Sequence, residues 1–226
     1  MSQPIREIVV DVWGDFACFS RPESGAERLT YPVPTPSAMR GLLAAIYSKP
    51  KKFYWQVTRI EVLRKPAYIS IKCNEVKEKI PEKPNKPVQV DRIDLGRKGR
   101  VQRQTVALKN VAYRIHAKIC KRPDFPGTEM QLYQQALRRI RRGQCFYQPF
   151  LGLRDFIAYF QEGTEPVQPI DLDLDLGLML YDVFDLHQWQ VTQKAQPFVT
   201  LFHAQLRHGI LDIPDFDSPE VIRPEV

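Results

Sequence analysis

Between residues 8 and 50 the chain spells out a strand, a break and a helix with both ends marked, and this stretch constrains the fold most tightly. Ile8-Val9-Val10-Asp11-Val12-Trp13 reads as a strand that stops at Gly14. An aromatic segment, Phe16-Ala17-Cys18-Phe19, and a polar loop lead to Tyr31-Pro32-Val33-Pro34-Thr35-Pro36. A helix is predicted over 37–48, with Thr35 as N-cap, Pro36 at the first helical position and Pro50 forbidding continuation. Met39, Leu42, Leu43 and Ile46 fall at i, i+3, i+4 and i+7, so one face is buried. Tyr47 ends the stripe, beside Lys49, Lys51 and Lys52.

Strands are predicted over 57–63 and 68–73. Strand, helix, strand, strand is the first half of a ferredoxin-like or RRM-like α+β unit. From 74 to 109 apolar content collapses. Lysines and prolines dominate first (Lys77, Lys79, Pro81, Lys83, Pro84, Lys86, Pro87), then Arg97, Lys98, Arg100, Arg103 and Lys109, with Gly96 and Gly99 between them. Such a segment packs no core of its own. It is either an extended basic hairpin or a solvated loop, and its charge with small glycines favours contact with phosphate. It feeds a strand over 111–119. Alternation puts Tyr113, Ile115, Ala117 and Ile119 on a buried face, and Arg114, His116 and Lys118 on an open one. Three basic groups in a row call for an anion beside them.

A second helix is predicted over 128–142, with Tyr133, Ala136, Leu137 and Ile140 as its stripe and Gly143 as its stop. Arg138, Arg139, Arg141 and Arg142 in its last turns suit the helix dipole. The remainder is strand-rich, ending in an acidic tail after Leu211. Asp171, Asp173 and Asp175 share one strand face; a solvated face or arginine partners explain them better than a cation, because calcium-loop spacing is missing. A boundary near 121–126 divides the chain into residues 1–122 and a smaller β-rich domain, 123–226.

The 226 residues are 43% hydrophobic, enough for a sizeable core. Four cysteines are scattered without zinc spacing, which argues against disulfides and structural zinc. No apolar run is long enough to span a bilayer, and the chain is expected in the cytoplasm. A net charge of +7 is compatible with a polyanionic partner. A DNA-binding regulator lacks support, since neither helix-turn-helix spacing nor a zinc motif is present.

Several segments, in order, carry a resemblance: Gly14-Asp15-Phe16-Ala17, the run from Tyr31 to Ala38, Gly41-Leu42-Leu43-Ala44-Ala45-Ile46-Tyr47, and Arg103 to Tyr113. Pro149-Phe150-Leu151-Gly152-Leu153-Arg154-Asp155-Phe156 follows, with aspartate at 155 where the family carries glutamate, then Gly177 to Asp182 and His208 to Pro214. Together they resemble the fifth family of CRISPR-associated (Cas) proteins in its type I-C form, within the repeat-associated RAMP superfamily. The resemblance implies an RRM-like N-terminal domain with a projecting basic hairpin, plus a smaller antiparallel C-terminal domain. It implies cleavage of precursor CRISPR RNA without metal or cofactor, retention of the 5′ handle, and assembly into the Cascade complex with its backbone-type and large subunits. Target DNA would be met only through that complex, and no membrane is involved.

The implied catalytic set is a tyrosine, a lysine and a histidine, matched here by Tyr47, Lys118 and His116. The expected RNA contacts are Arg40, Lys49, Lys51, Lys52, Arg97, Lys98, Arg100, Arg103, Lys109 and Arg114. The competing expectation is a non-catalytic subunit that holds the RNA handle while another protein cuts.

Overall fold

The computed structural model describes residues 6–25, 27–76, 100–190 and 197–224. In chain order the elements are β1 (Ile8–Ala17), β2 (Arg28–Leu29), α1 (Pro36–Ile46), β3 (Phe53–Val62), β4 (Tyr68–Val76) and β5 (Arg100–Lys121). Then come α2 (Glu129–Arg141), β6 (Tyr159–Glu162), β7 (Leu174–Asp182), β8 (Thr200–Arg207) and β9 (Ile210–Asp212). The described residues thus form an α+β protein dominated by one mostly antiparallel sheet of nine strands.

The sheet runs β6-β1-β5-β3-β9-β8-β7, with β2 and β4 attached to β5. The strand read at 111–119 is the inner part of β5, which is 22 residues long. Its first half pairs with β4 from Tyr68↔Leu108 to Val76↔Arg100, and its second half pairs with β1 on one side and β3 on the other. The changeover falls at Asn110, whose φ is +52°. An asparagine tolerates that left-handed backbone better than most side chains. Residues 77–99, which include Arg97 and Lys98, lie outside the described residues.

Both helices cover the same side of the sheet. Ile8, Val10 and Val12 of β1 stand opposite Ala117, Ile115 and Tyr113 of β5. Trp55 and Val57 of β3 stand opposite Ile119 and Ala117. All are buried, and they meet Met39, Leu42, Leu43 and Ile46 of α1 and Leu132, Ala136 and Ile140 of α2 in one core. Thr35 caps α1 as expected, its side chain accepting from the Ala38 N–H at 3.2 Å. In α2 the buried stripe includes Leu132, whereas Tyr133 and Leu137 are only half-buried. Thr128 and Gln131 form a reciprocal cap at its start.

The two halves separated in sequence share this sheet. The turn at 122–128 leads into α2, and β6 beyond it pairs with β1. Meanwhile β9 pairs with β3 and carries β8 and β7 with it.

The 149–156 segment is a tight turn docked under β1. Cys18 donates its N–H to the Leu151 carbonyl at 3.0 Å, and Leu151 donates its own to Phe156 at 2.8 Å. Gly152 sits at φ +86°, and a Cβ there would overlap the Cys18 carbonyl oxygen. Gly152→Ala therefore carries left-handed strain, itself about 1–3 kcal/mol, with the overlap in addition. The expected result is a lowered denaturant midpoint with an unchanged m-value, measured by urea unfolding.

Candidate nucleic-acid interface

The side of β5 facing away from the helices carries the three basic residues read from the alternation, and the protein supplies the anions itself. Arg114 is buried, and its guanidinium makes a two-pronged pair with Asp11 across the strand boundary, at 2.6 and 2.9 Å. His116 lies between two carboxylates, its Nε2 3.0 Å from Glu61 and its Nδ1 3.5 Å from Glu7. Lys118 stands opposite Gln56. The expectation that these groups await an external phosphate is corrected for Arg114 and His116. Arg114 in particular, 7% exposed, has no surface to offer RNA.

Tyr47 occupies the C-cap of α1. Its ring stacks on Phe53 with centroids 5.2 Å apart, and its carbonyl accepts from the Trp55 indole N–H at 2.8 Å. Phe53 and Trp55 point to the helix-covered side of the sheet. His116 and Lys118 alternate with Ala117 and Ile119, which face the helices, so they point the other way. The phenol and the His116–Lys118 pair therefore lie on opposite faces of β5, and the three-residue catalytic centre expected from the resemblance is not assembled. Strand alternation decides this, because a histidine two positions from a lysine shares its face but not that of the residues between them.

What surrounds Tyr47 instead is positive charge from α2. The Arg139 Nε–H caps the Ile46 carbonyl at 2.7 Å, satisfying an orphan acceptor at the end of α1. Burial pushes the Tyr47 phenol above its ordinary pKa, and the charges of Arg139 and Arg138 oppose that shift. Lys121 stands directly across from Phe53 on the same face. The ring is 5% exposed, and its hydroxyl makes no hydrogen bond among the described residues. In the sequence these arginines looked like ordinary dipole partners, and only the packing of α2's end against α1's end reveals the second role.

The remaining expected contacts divide. Arg40 is held by Asp182, with Nη2 3.0 Å from Oδ1, and its guanidinium lies over Phe184. Its charge is matched inside the protein. Arg103 pairs with Glu75 at 3.4 Å, Arg100 begins β5, and Lys109 is exposed beside Asn110. Lys49, Lys51 and Lys52 are exposed on the turn between α1 and β3.

Arg122 was missed by sequence reasoning. It is 8% exposed and donates to the carbonyls of Pro50, His187 and Leu186 at 2.6, 2.6 and 2.9 Å, pinning the 184–189 loop to the lysine turn. Between them opens a cavity of about 190 Å³ lined by Arg40, Tyr54, Trp55, Arg122, Phe184 and Trp189, among others. The aspartates of the 171–175 segment find histidines rather than arginines. Asp171 accepts from His208 at 2.9 Å, which raises the imidazole pKa, and Asp175 lies 4.0 Å from His203. Among the described residues no group of three or more His, Cys, Asp or Glu side chains could hold a metal ion, and no helix is long and apolar enough to cross a membrane.

Comparison with known proteins places the chain. The family model described as CRISPR-associated protein (Cas_Cas5) matches residues 7–224. The chain is 39% identical over 227 residues to a CRISPR pre-crRNA endoribonuclease Cas5d of Thermus thermophilus, covering 96% of this chain and 95% of the relative. It is 34% identical over 230 residues to the protein of that name from Mannheimia succiniciproducens, covering 96% and 98%. A solved structure described as that of a CRISPR-associated protein shares the fold, with a TM-score of 0.67 at 19% identity over 96% of this chain and 97% of that one. With the match spanning nearly every residue, and the Leu151-Gly152 turn and α1 falling inside it, the chain belongs to the Cas5 family of CRISPR-associated proteins.

Proposed function

We propose that this chain is a metal-independent endoribonuclease that cleaves precursor CRISPR RNA and keeps the 5′ handle as a subunit of a type I-C Cascade complex. The likeness to two relatives named for pre-crRNA cleavage supports the substrate. The observation that carries the chemistry is Tyr47, set at the end of α1 under the charges of Arg138 and Arg139. In this reading the first half is RRM-like, β4 and the outer part of β5 form the stem of a basic hairpin, and the second half is the smaller β-rich domain. CRISPR RNA, its precursor and the backbone-type and large Cascade subunits are the partners, target DNA is met through the complex, and the protein works in the cytoplasm.

Cleavage joins the 2′-oxygen of one nucleotide to its own 3′-phosphorus while the bond to the next 5′-oxygen breaks. The products are a 2′,3′-cyclic phosphate and a 5′-hydroxyl. The proton of the 2′-hydroxyl leaves to solvent base, and the phenol of Tyr47 gives one to the departing 5′-oxygen. A tyrosine phenol carries its proton at neutral pH, and burial raises its pKa further. Arg138 and Arg139 stabilise the charge gathering on the phosphorane oxygens. Lys118, on the other face, would hold RNA by charge alone.

The test is to incubate the purified protein with repeat RNA in EDTA. Cutting should persist in EDTA and stop when the scissile nucleotide carries 2′-deoxyribose, because the nucleophile is then missing. Loss of cutting in EDTA alone would overturn the metal-free assignment. Handle affinity should fall with salt along a log–log slope of about −0.7 per phosphate contacted. The buried position of Tyr47 favours the second reading, a subunit that grips the handle without cutting. Tight binding with no product from any repeat RNA would establish it.

A further inference from the structure

Three lysines in one short turn each hold their ammonium over an aromatic ring from a different part of the chain. Lys49 lies 5.9 Å from the Phe146 centroid, Lys51 4.8 Å from Trp189, and Lys52 5.0 Å from Phe125. Phe125 is partly buried against the core, but the other two rings are at the surface, as is Tyr147. Phe146, Tyr147 and Trp189 are 52%, 54% and 40% exposed. Clustered exposed rings cost solubility and mark a surface that something covers.

Phe146 is nonetheless held in place. Its N–H donates to the Ala45 carbonyl in the last turn of α1 at 2.7 Å, and the Arg139 guanidinium lies 4.3 Å from its ring centre. The same arginine caps the carbonyl next to Tyr47. At the other end of the turn, Trp189, the ring under Lys51, borders the 190 Å³ cavity, whose wall continues through Phe184, Trp55 and the Arg122 guanidinium. Asp182 is already matched by Arg40, and Asp185 lines the cavity beside Arg122.

We propose that the lysine turn and its rings form a track for single-stranded RNA, in which Phe146 and Tyr147 stack the bases beside the scissile phosphate and Trp189 stacks a base further along. The proposal rests on the RNA-cleavage reading above and adds the residues that seat the bases. Alternating ammonium and ring matches the alternating phosphate and base of a single strand. Stacking accepts any base, because each presents a π-face, and the ring-bound ammonium groups remain near the phosphates. A protein surface has no such alternation of anion and flat ring. The cations of the turn, with Arg138 and Arg142 at the end of α2, give the surface the sign that RNA requires.

The experiment measures binding of a labelled repeat RNA to the full chain and to Phe146→Leu, Tyr147→Leu and Trp189→Leu, each checked for folding by its thermal melt. Each substitution should weaken binding about tenfold while leaving the salt slope unchanged. Replacing Lys49, Lys51 and Lys52 together by Gln should instead flatten the slope by up to about 2, at roughly 0.7 per phosphate. RNAs made abasic at one position at a time supply a probe that leaves the protein intact. One abasic position should cost the full chain the same factor that Phe146→Leu costs, and cost Phe146→Leu nothing more.

If the full chain binds repeat RNA but neither ring replacement nor any abasic position weakens it, the track is refuted and the cleavage reading stands. If the full chain binds no RNA, both fall. If ring variants bind RNA normally but no longer join the other subunits of the complex, the rings are a protein interface and the track is refuted.

Discussion

Tyr47→Phe should slow repeat-RNA cleavage by about 10²–10⁴-fold, the usual range for a lost proton-transfer group, while changing RNA affinity little. The substitution removes one oxygen and keeps the ring that stacks on Phe53, so the end of α1 should stay folded. His116→Ala serves as the contrast. His116 lies across the sheet from the phenol, between Glu7 and Glu61, and its loss should leave the single-turnover rate within a few-fold. Single-turnover cleavage at saturating protein separates the two effects from binding. Equal, large losses from both substitutions would mean that chemistry takes place on the open face, and the assignment to Tyr47 would be wrong.

The second large effect is on stability. Arg114→Ala leaves Asp11, 9% exposed, as a buried carboxylate without its cation. Breaking a buried pair on one side only costs about 3–5 kcal/mol, a large share of a domain's total stability. The thermal midpoint should drop steeply. At temperatures where the variant remains folded, RNA affinity and salt slope should match the parent. A normal melt combined with a flattened slope would return Arg114 to the RNA-binding surface. Replacing Asp11 and Arg114 together by apolar residues of similar volume should recover much of the loss, because neither charge is then stranded.

These two outcomes mark the limit of what the chain shows before it is folded. Helix α1 was legible because Thr35, Pro36 and the Met39–Ile46 stripe are local signals that agree. The inner half of β5 was legible from its alternation alone. That same alternation predicted that Arg114, His116 and Lys118 share a face, which they do. It was silent on Asp11, Glu7 and Glu61, since pairing between β1, β5 and β3 joins residues some fifty to a hundred positions apart. Tyr47 was singled out at the correct helix end, but its partners came from α2, whose arginines carry no mark separating dipole compensation from contact with a second helix. Arg122, which donates to three carbonyls, left no sequence signal at all, because its acceptors are backbone atoms. The conversion of the 149–156 motif into a glycine-dependent turn was similarly invisible until Cys18 was placed over Gly152.

One continuous strand, β5, serves as the spine of the central sheet and as one rail of the arm it forms with β4. The pairing of β4 with the outer half of β5 is consequently fixed to the sheet by unbroken backbone, and its length is set by residue count. Adding two residues to each rail beyond Asn110 would lengthen it by about 7 Å with every side chain still on its original side. Adding one to each would turn its two surfaces over while leaving the sheet untouched. Parity in that arm, more than length, governs which side chains it presents.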